Sequence, residues 1–280
     1  VRRRLRRQMA GVLVAAAVLV TGCAQSVDPI ERLGKKAAQR VRPHDPAGER
    51  PYRRWGLAAP LLPPPKSPAH PLTGSAGPGR GLPREQGLPR VVDHVPTRDK
   101  VVFLTYDDGA ERDPRFVDMV RELRLPVSMF LTDSVVGPGY GHFARLRSVG
   151  ATIQNHTLDH PSLRGLPYAG QRAEICGQQD KLRSRFGLRP RLLRPPYGTY
   201  DTTTLRAAAD CGLAAVVLWR ASMENGELVF VNGEGRLRPG DIVSVASGDA
   251  TGLPLRERTT RLLRAIQGRG LTVGRLEDYI

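Results

Sequence analysis

The apolar run Val101–Tyr106 ends on two adjacent aspartates and a glycine, Asp107, Asp108 and Gly109. Two carboxylates side by side suit two different tasks, since one can ligate a cation while the other accepts a proton. Asp and Gly also make ordinary turns, so the pair gains meaning only from partners elsewhere in the chain. The stretch "NHTLDH" supplies two imidazoles, His156 and His160, four residues apart. That spacing brings both rings to one face if the backbone turns helically. Two histidines and a carboxylate leave one coordination position open, the arrangement in which a catalytic zinc acidifies a water. A third stretch, "RPPYG" from Arg194 to Gly198, is by itself a rigid turn.

The elements that must position these residues alternate. "KVVFLTY" has the pattern of a buried strand, and "DPRFVDMVRELRL" that of an amphipathic helix with Phe116, Met119, Val120 and Leu123 on one face. A strand at "PVSMFLT", a helix at "HFARLRSVG", a strand at "GATIQNH" and a long glycine-closed helix at "YAGQRAEICGQQDKLRSRFG" follow. Then come a short strand stopped by prolines at "RLLRPPYG", a capped helix at "DTTTLRAAADCG" and a buried strand at "LAAVVLW". A strand at "DIVSVAS", a helix at "LRERTTRLLRAIQG" and a strand at "LTVGRL" complete the chain. Such alternation predicts an α/β fold with a parallel sheet and helices outside it, closed as a barrel or left open. Chemistry in these folds gathers at the carboxyl ends of the strands, where "YDDG", "NHTLDH" and "RPPYG" all fall.

In that order, "TYDDG", "HTLDH" and "RPPYG" resemble the first three motifs of the polysaccharide deacetylases, the NodB-homology group or carbohydrate esterase family 4, and the resemblance runs from Arg98 to Ile280. It implies a distorted (β/α) barrel that removes N- or O-acetyl groups from sugars with a divalent metal, zinc first, with cobalt or nickel as substitutes. It also implies Asp108, His156 and His160 as metal ligands and Asp107 as general base. Arg194 would pair with Asp107 and hold it ionised and oriented. The Tyr197 peptide N–H would stabilise the oxyanion of the tetrahedral intermediate, with Pro195 and Pro196 fixing that backbone.

The later segments depart from the family. There, a strand ending like "VVLW" leads into an aspartate, and one introduced by "PGDIV" ends on a histidine that protonates the leaving amine. Here, aligned on Trp219 and "PGDIV", Ser222 or its neighbours and Ala246 occupy those places. The six histidines are His44, His70, His94, His142, His156 and His160, so none follows His160. General acid catalysis contributes roughly 10²- to 10⁴-fold, and its loss slows amide cleavage more than ester cleavage because an alkoxide leaves more readily than an unprotonated amine. Asp249 and Glu224 are candidate replacement acids, or else solvated loop carboxylates. Two functions follow: a deacetylase acting on peptidoglycan, a chitin-like glycan or xylan, or a metal-containing glycan-binding module without turnover. Phe143, Trp219 and Tyr168 are either a sugar platform or core.

Charge and composition divide the 280 residues. Before Arg98 there are 17 Lys or Arg against 6 Asp or Glu, and from Arg98 onward 26 against 21. Residues 1–22 have the layout of a secretory signal peptide: an arginine cluster, a short apolar run and small residues. They lead into "VTGC", which resembles the bacterial lipobox. That resemblance implies a lipid on Cys23 and a chain held on the extracytoplasmic face of the cell membrane. Residues 23–97 hold 14 of the 24 prolines and are expected to form an extended basic tether, leaving 98–280 as the deacetylase-like domain. No nucleic-acid partner is expected, because the chain begins like an exported protein and no basic patch is interleaved with aromatics. Cys176 and Cys211 remain, either bridged or as two separate buried thiols.

Overall fold

The structure, a computed structural model, describes residues 50–66, 68, 87–231, 235–245 and 252–280. The signal segment, Cys23, Ala246 and Asp249 lie outside the described residues. Among those described, no helix is long and apolar enough to cross a membrane.

The strands are β1 (Arg90–Val92), β2 (Val101–Tyr106), β3 (Val127–Leu131), β4 (Thr152–Asn155), β5 (Leu192–Leu193), β6 (Ala215–Val217), β7 (Ala221–Glu224), β8 (Glu227–Phe230), β9 (Ile242–Val245) and β10 (Thr272–Gly274). They join in the order β1-β6-β5-β4-β3-β2-β9-β7-β8, with β10 added to β2. Every pairing is parallel except that of β7 with β8. The sheet curls into the distorted (β/α) barrel expected from the sequence. An antiparallel bridge from His94 to Asp241 ties the chain leaving β1 to the start of β9. Gly240 makes that approach possible, because its φ is 87° and a Cβ there would meet the Val95 carbonyl oxygen at 1.9 Å.

β2 shows how the barrel is filled. Val102, Leu104 and Tyr106 pack outward with Phe116, Met119 and Val120 of helix Pro114–Leu123 and with Leu262, Leu263 and Ile266 of helix Leu255–Gly268. Val101 and Phe103 pack on the other face with Phe130, Val217, Ile242 and Tyr279. The strand is therefore apolar on both sides, as a buried parallel strand must be, and its period of two places Thr105 and then Asp107 on the inner face.

Two features differ from the sequence-based expectation. The tether was expected to run to residue 97, yet part of it belongs to the folded body: Tyr52, Trp55 and Leu57 are buried in the main core, and β1 pairs with β6. Side-chain burial of this kind stabilises by about 1.5–3 kcal/mol per large residue, which offsets the ordering of a proline-rich strap. Trp55 Nε1 donates to Glu122, and Arg264 and Gln267 donate to the strap carbonyls of Gly56 and Ala59. The second feature is the β7–β8 hairpin, which was not anticipated. Its turn is Asn225–Gly226, with φ of 49° and 76°. Positive φ at both central residues is what a two-residue hairpin joining right-twisted strands requires.

Candidate metal and catalytic site

Asp107 and Asp108 follow β2, His156 follows β4, Arg194 follows β5 and Ser244 lies on β9, so five residues from four strands of the run β5-β4-β3-β2-β9 meet at one end of the barrel. The backbone separates the two aspartates. Asp108 has φ 63°, and the Gly109 N–H donates to the Asp107 carbonyl at 2.7 Å, closing a three-residue turn. Gly109 has φ 86°, and a Cβ there would stand 2.8 Å from Val136 and 2.9 Å from Phe143, so only glycine fits.

Asp108 Oδ1 lies 3.1 Å from His156 Nε2 and 3.0 Å from His160 Nε2, and the two nitrogens are 3.2 Å apart. Among the described residues this is the group of His, Cys, Asp and Glu side chains able to hold a metal ion. His156 Nδ1 donates to the Arg194 carbonyl at 2.7 Å, so Nε2 is the nitrogen that faces the Asp108 oxygen. A cation between these atoms would be ligated by all three. Ligands at about 2.0–2.1 Å from a tetrahedral zinc are about 3.3 Å apart, so the observed spacing fits such an ion. The imidazoles converge by a route other than the helical turn expected from their spacing. Residues 156–160 form an irregular bend with φ of 71° at Thr157 and 62° at His160.

Asp107 stands apart from this triangle. Its Oδ1 accepts from Arg194 Nη1 at 2.6 Å, and its Oδ2 accepts from Ser244 Oγ at 2.7 Å. Arg194 is fully buried, its guanidinium 4.4 Å from the Phe130 ring and 5.3 Å from Trp219, with Nε and Nη2 donating to the Val217 and Leu218 carbonyls. A carboxylate has about four lone-pair sites, so Asp107 keeps acceptor capacity for a further proton. The Tyr197 ring packs edge-on to His160 at 4.9 Å, and its backbone sits at φ 58° in the short turn Pro196–Gly198. All six residues singled out by the sequence are thus brought together. Ser244 was missed, since nothing in the local sequence marks a serine within a strand. Of the proposed sugar platform, Phe143 is core, Tyr168 hydrogen-bonds Asp210, and Trp219 supports Arg194. Glu224 is exposed and accepts from Ser222 Oγ.

Residues 94–216 match the family model described as polysaccharide deacetylase. The chain is 62% identical over 215 residues to an uncharacterized protein of Streptomyces coelicolor, covering 76% of this chain and 86% of that protein. The chain belongs to the polysaccharide deacetylase family. A second relative, the chitooligosaccharide deacetylase of a Bradyrhizobium species, is 28% identical over 191 residues, covering 61% of this chain and 87% of its own. Among solved structures, a CE4 family pseudoenzyme from Bacillus anthracis shares the deacetylase fold with a TM-score of 0.58 at 18% identity, over 68% of each chain.

Proposed function

We propose that this polysaccharide deacetylase family member is a metal-dependent hydrolase of acetyl groups on a cell-wall or extracellular glycan, with peptidoglycan N-acetylhexosamine as the leading substrate and chitin-like or xylan chains as others. The observation that carries this reading is the split between the adjacent aspartates, with Asp108 against two imidazoles and Asp107 against Arg194 and Ser244. Asp108, His156 and His160 would hold the ion, zinc before cobalt or nickel, and a bound divalent cation would supply the Lewis acidity that acidifies water and polarises the acetyl carbonyl. Asp107 is the base that takes the proton of the attacking water, aimed by Arg194 Nη1 and Ser244 Oγ. The Tyr197 peptide N–H faces the developing oxyanion as the carbonyl carbon becomes tetrahedral. The signal-peptide layout of residues 1–22, the resemblance of "VTGC" to a lipobox ending on Cys23 and the basic proline-rich stretch support a lipid-anchored protein on the extracytoplasmic face of the membrane, within reach of wall glycan.

A second reading, a glycan-binding lipoprotein without turnover, draws on the absence of any histidine beyond His160. The test is free acetate from peptidoglycan, chito-oligosaccharides and acetylated xylan incubated with the zinc-loaded full chain. Acetate release is the expected result. Glycan retained on the protein with no acetate from any substrate would replace the enzyme by the binding module.

A further inference from the structure

The bend between His156 and His160 is a costly piece of backbone, because each non-glycine residue in the left-handed region costs of order 1–3 kcal/mol and persists only where its surroundings fix it. Each peptide N–H of this bend has a specific partner. Thr157 donates to Asn155 Oδ1 at 2.9 Å, and His160 donates to Thr157 Oγ1 at 3.2 Å. The two between them, Leu158 and Asp159, both donate to one oxygen of a distant carboxylate, Glu174 Oε2, at 3.1 and 2.9 Å.

Glu174 lies on helix Tyr168–Phe186, and the helix is itself fastened to the site. The Ile175 carbonyl accepts from Asn155 Nδ2 at 3.0 Å, and Gln178 Nε2 donates to the Leu131 carbonyl at 2.5 Å. Cys176 is bonded to Cys211. The carboxylate therefore has a fixed origin and spans the two peptides that set the angle between the imidazoles.

We propose that Glu174 is the positioning residue of the metal site, holding the 156–160 bend in the shape that keeps both Nε2 atoms on Asp108. This rests on the reading of Asp108, His156 and His160 as metal ligands. Hydrogen bonds to a charged acceptor are the stronger ones, and partners that orient ligands without touching the ion typically contribute about 10- to 100-fold in metal affinity.

Cobalt(II) titration of the full chain, followed by its visible absorption, reads the site without any substrate. The expected result is a loss of affinity of about 10- to 100-fold in Glu174→Ala, with a weakened absorption band. Glu174→Gln, which keeps an acceptor oxygen, should recover most of that affinity. Melting of the metal-free proteins shows whether the fold has survived each change. Wild-type affinity in Glu174→Ala, or a Gln variant as weak as the Ala variant, overturns the assignment. A wild-type chain that takes up no cobalt overturns the metal site itself and this role with it.

Discussion

Ser244 Oγ donates to Asp107 Oδ2 at 2.7 Å from a position on β9 that is 3% exposed, opposite the guanidinium that holds Oδ1. The carboxylate is thereby clamped at both oxygens in one orientation. A hydrogen bond to a charged group contributes about 1.5–3 kcal/mol, and about 1.4 kcal/mol is a factor of ten in rate. Ser244→Ala should therefore lower the turnover for acetate release roughly tenfold or more, with KM little changed. Ser244→Thr, which keeps the hydroxyl, should recover part of it. Steady-state kinetics on all three proteins provides the check.

Arg194 serves Asp107, Val217 and Leu218 through three different nitrogens while stacked between Phe130 and Trp219. Removing one partner of a buried pair costs about 3–5 kcal/mol, because the other charge is left uncompensated. Arg194→Met should show a loss of this size in urea denaturation. Arg194→Lys should recover little, since a single ammonium cannot reproduce a planar fork with three acceptors.

The Cys176–Cys211 bridge joins helix Tyr168–Phe186 to the end of helix Thr202–Asp210 across a separation of 35 residues. Closing a loop of that length in the unfolded chain is worth about 3–4 kcal/mol in the chain-entropy model. The double variant Cys176→Ser, Cys211→Ser should unfold at correspondingly lower urea concentration, as should the wild type in reductant.

His142 is buried on helix Tyr140–Ser148. Its pKa lies below the ordinary histidine value, chiefly through burial and then through Arg145 and Arg112, with Asp113 opposing. The unfolded chain therefore binds this proton more readily than the folded one. The associated stability is complete above the unfolded pKa of about 6.5 and is lost as pH falls through that value toward the lower folded pKa. Unfolding free energies from urea should fall between about pH 7.5 and about pH 5.5 less steeply in His142→Phe than in the wild type.

Much of this molecule could be read from local pattern. The continuous apolar run in "VVFLTY" and the apolar stripe of helix Pro114–Leu123 each follow from burial alone, and the structure has both elements where the pattern places them. The Asp108, His156 and His160 set is what the resemblance of "TYDDG" and "HTLDH" implies, and both stretches follow strands, β2 and β4, where a parallel barrel gathers its chemistry. What was not legible depends on contacts distant in sequence. The strap at Tyr52, Trp55 and Leu57 looks like linker because prolines dominate its neighbourhood, and only docking on helices Pro114–Leu123 and Leu255–Gly268 gives it a core. Ser244 and Glu174 are ordinary residues until β9 and helix Tyr168–Phe186 bring them to Asp107 and to the bend. The Asn225–Gly226 hairpin did carry a local signal in its turn dipeptide, flanked by the short strands β7 and β8.

In the proposed reaction the adjacent aspartates divide the work, Asp108 toward the ion and Asp107 toward the proton. This division is tested most directly by acetate release from the zinc-loaded full chain beside Asp107→Asn, with zinc content measured on the same samples. Equal zinc is expected in both proteins, with a loss of activity of roughly 10²- to 10⁴-fold or more in the variant, the range for a missing general base. Asp107→Asn that releases acetate at the wild-type rate, or that loses its zinc, would contradict it.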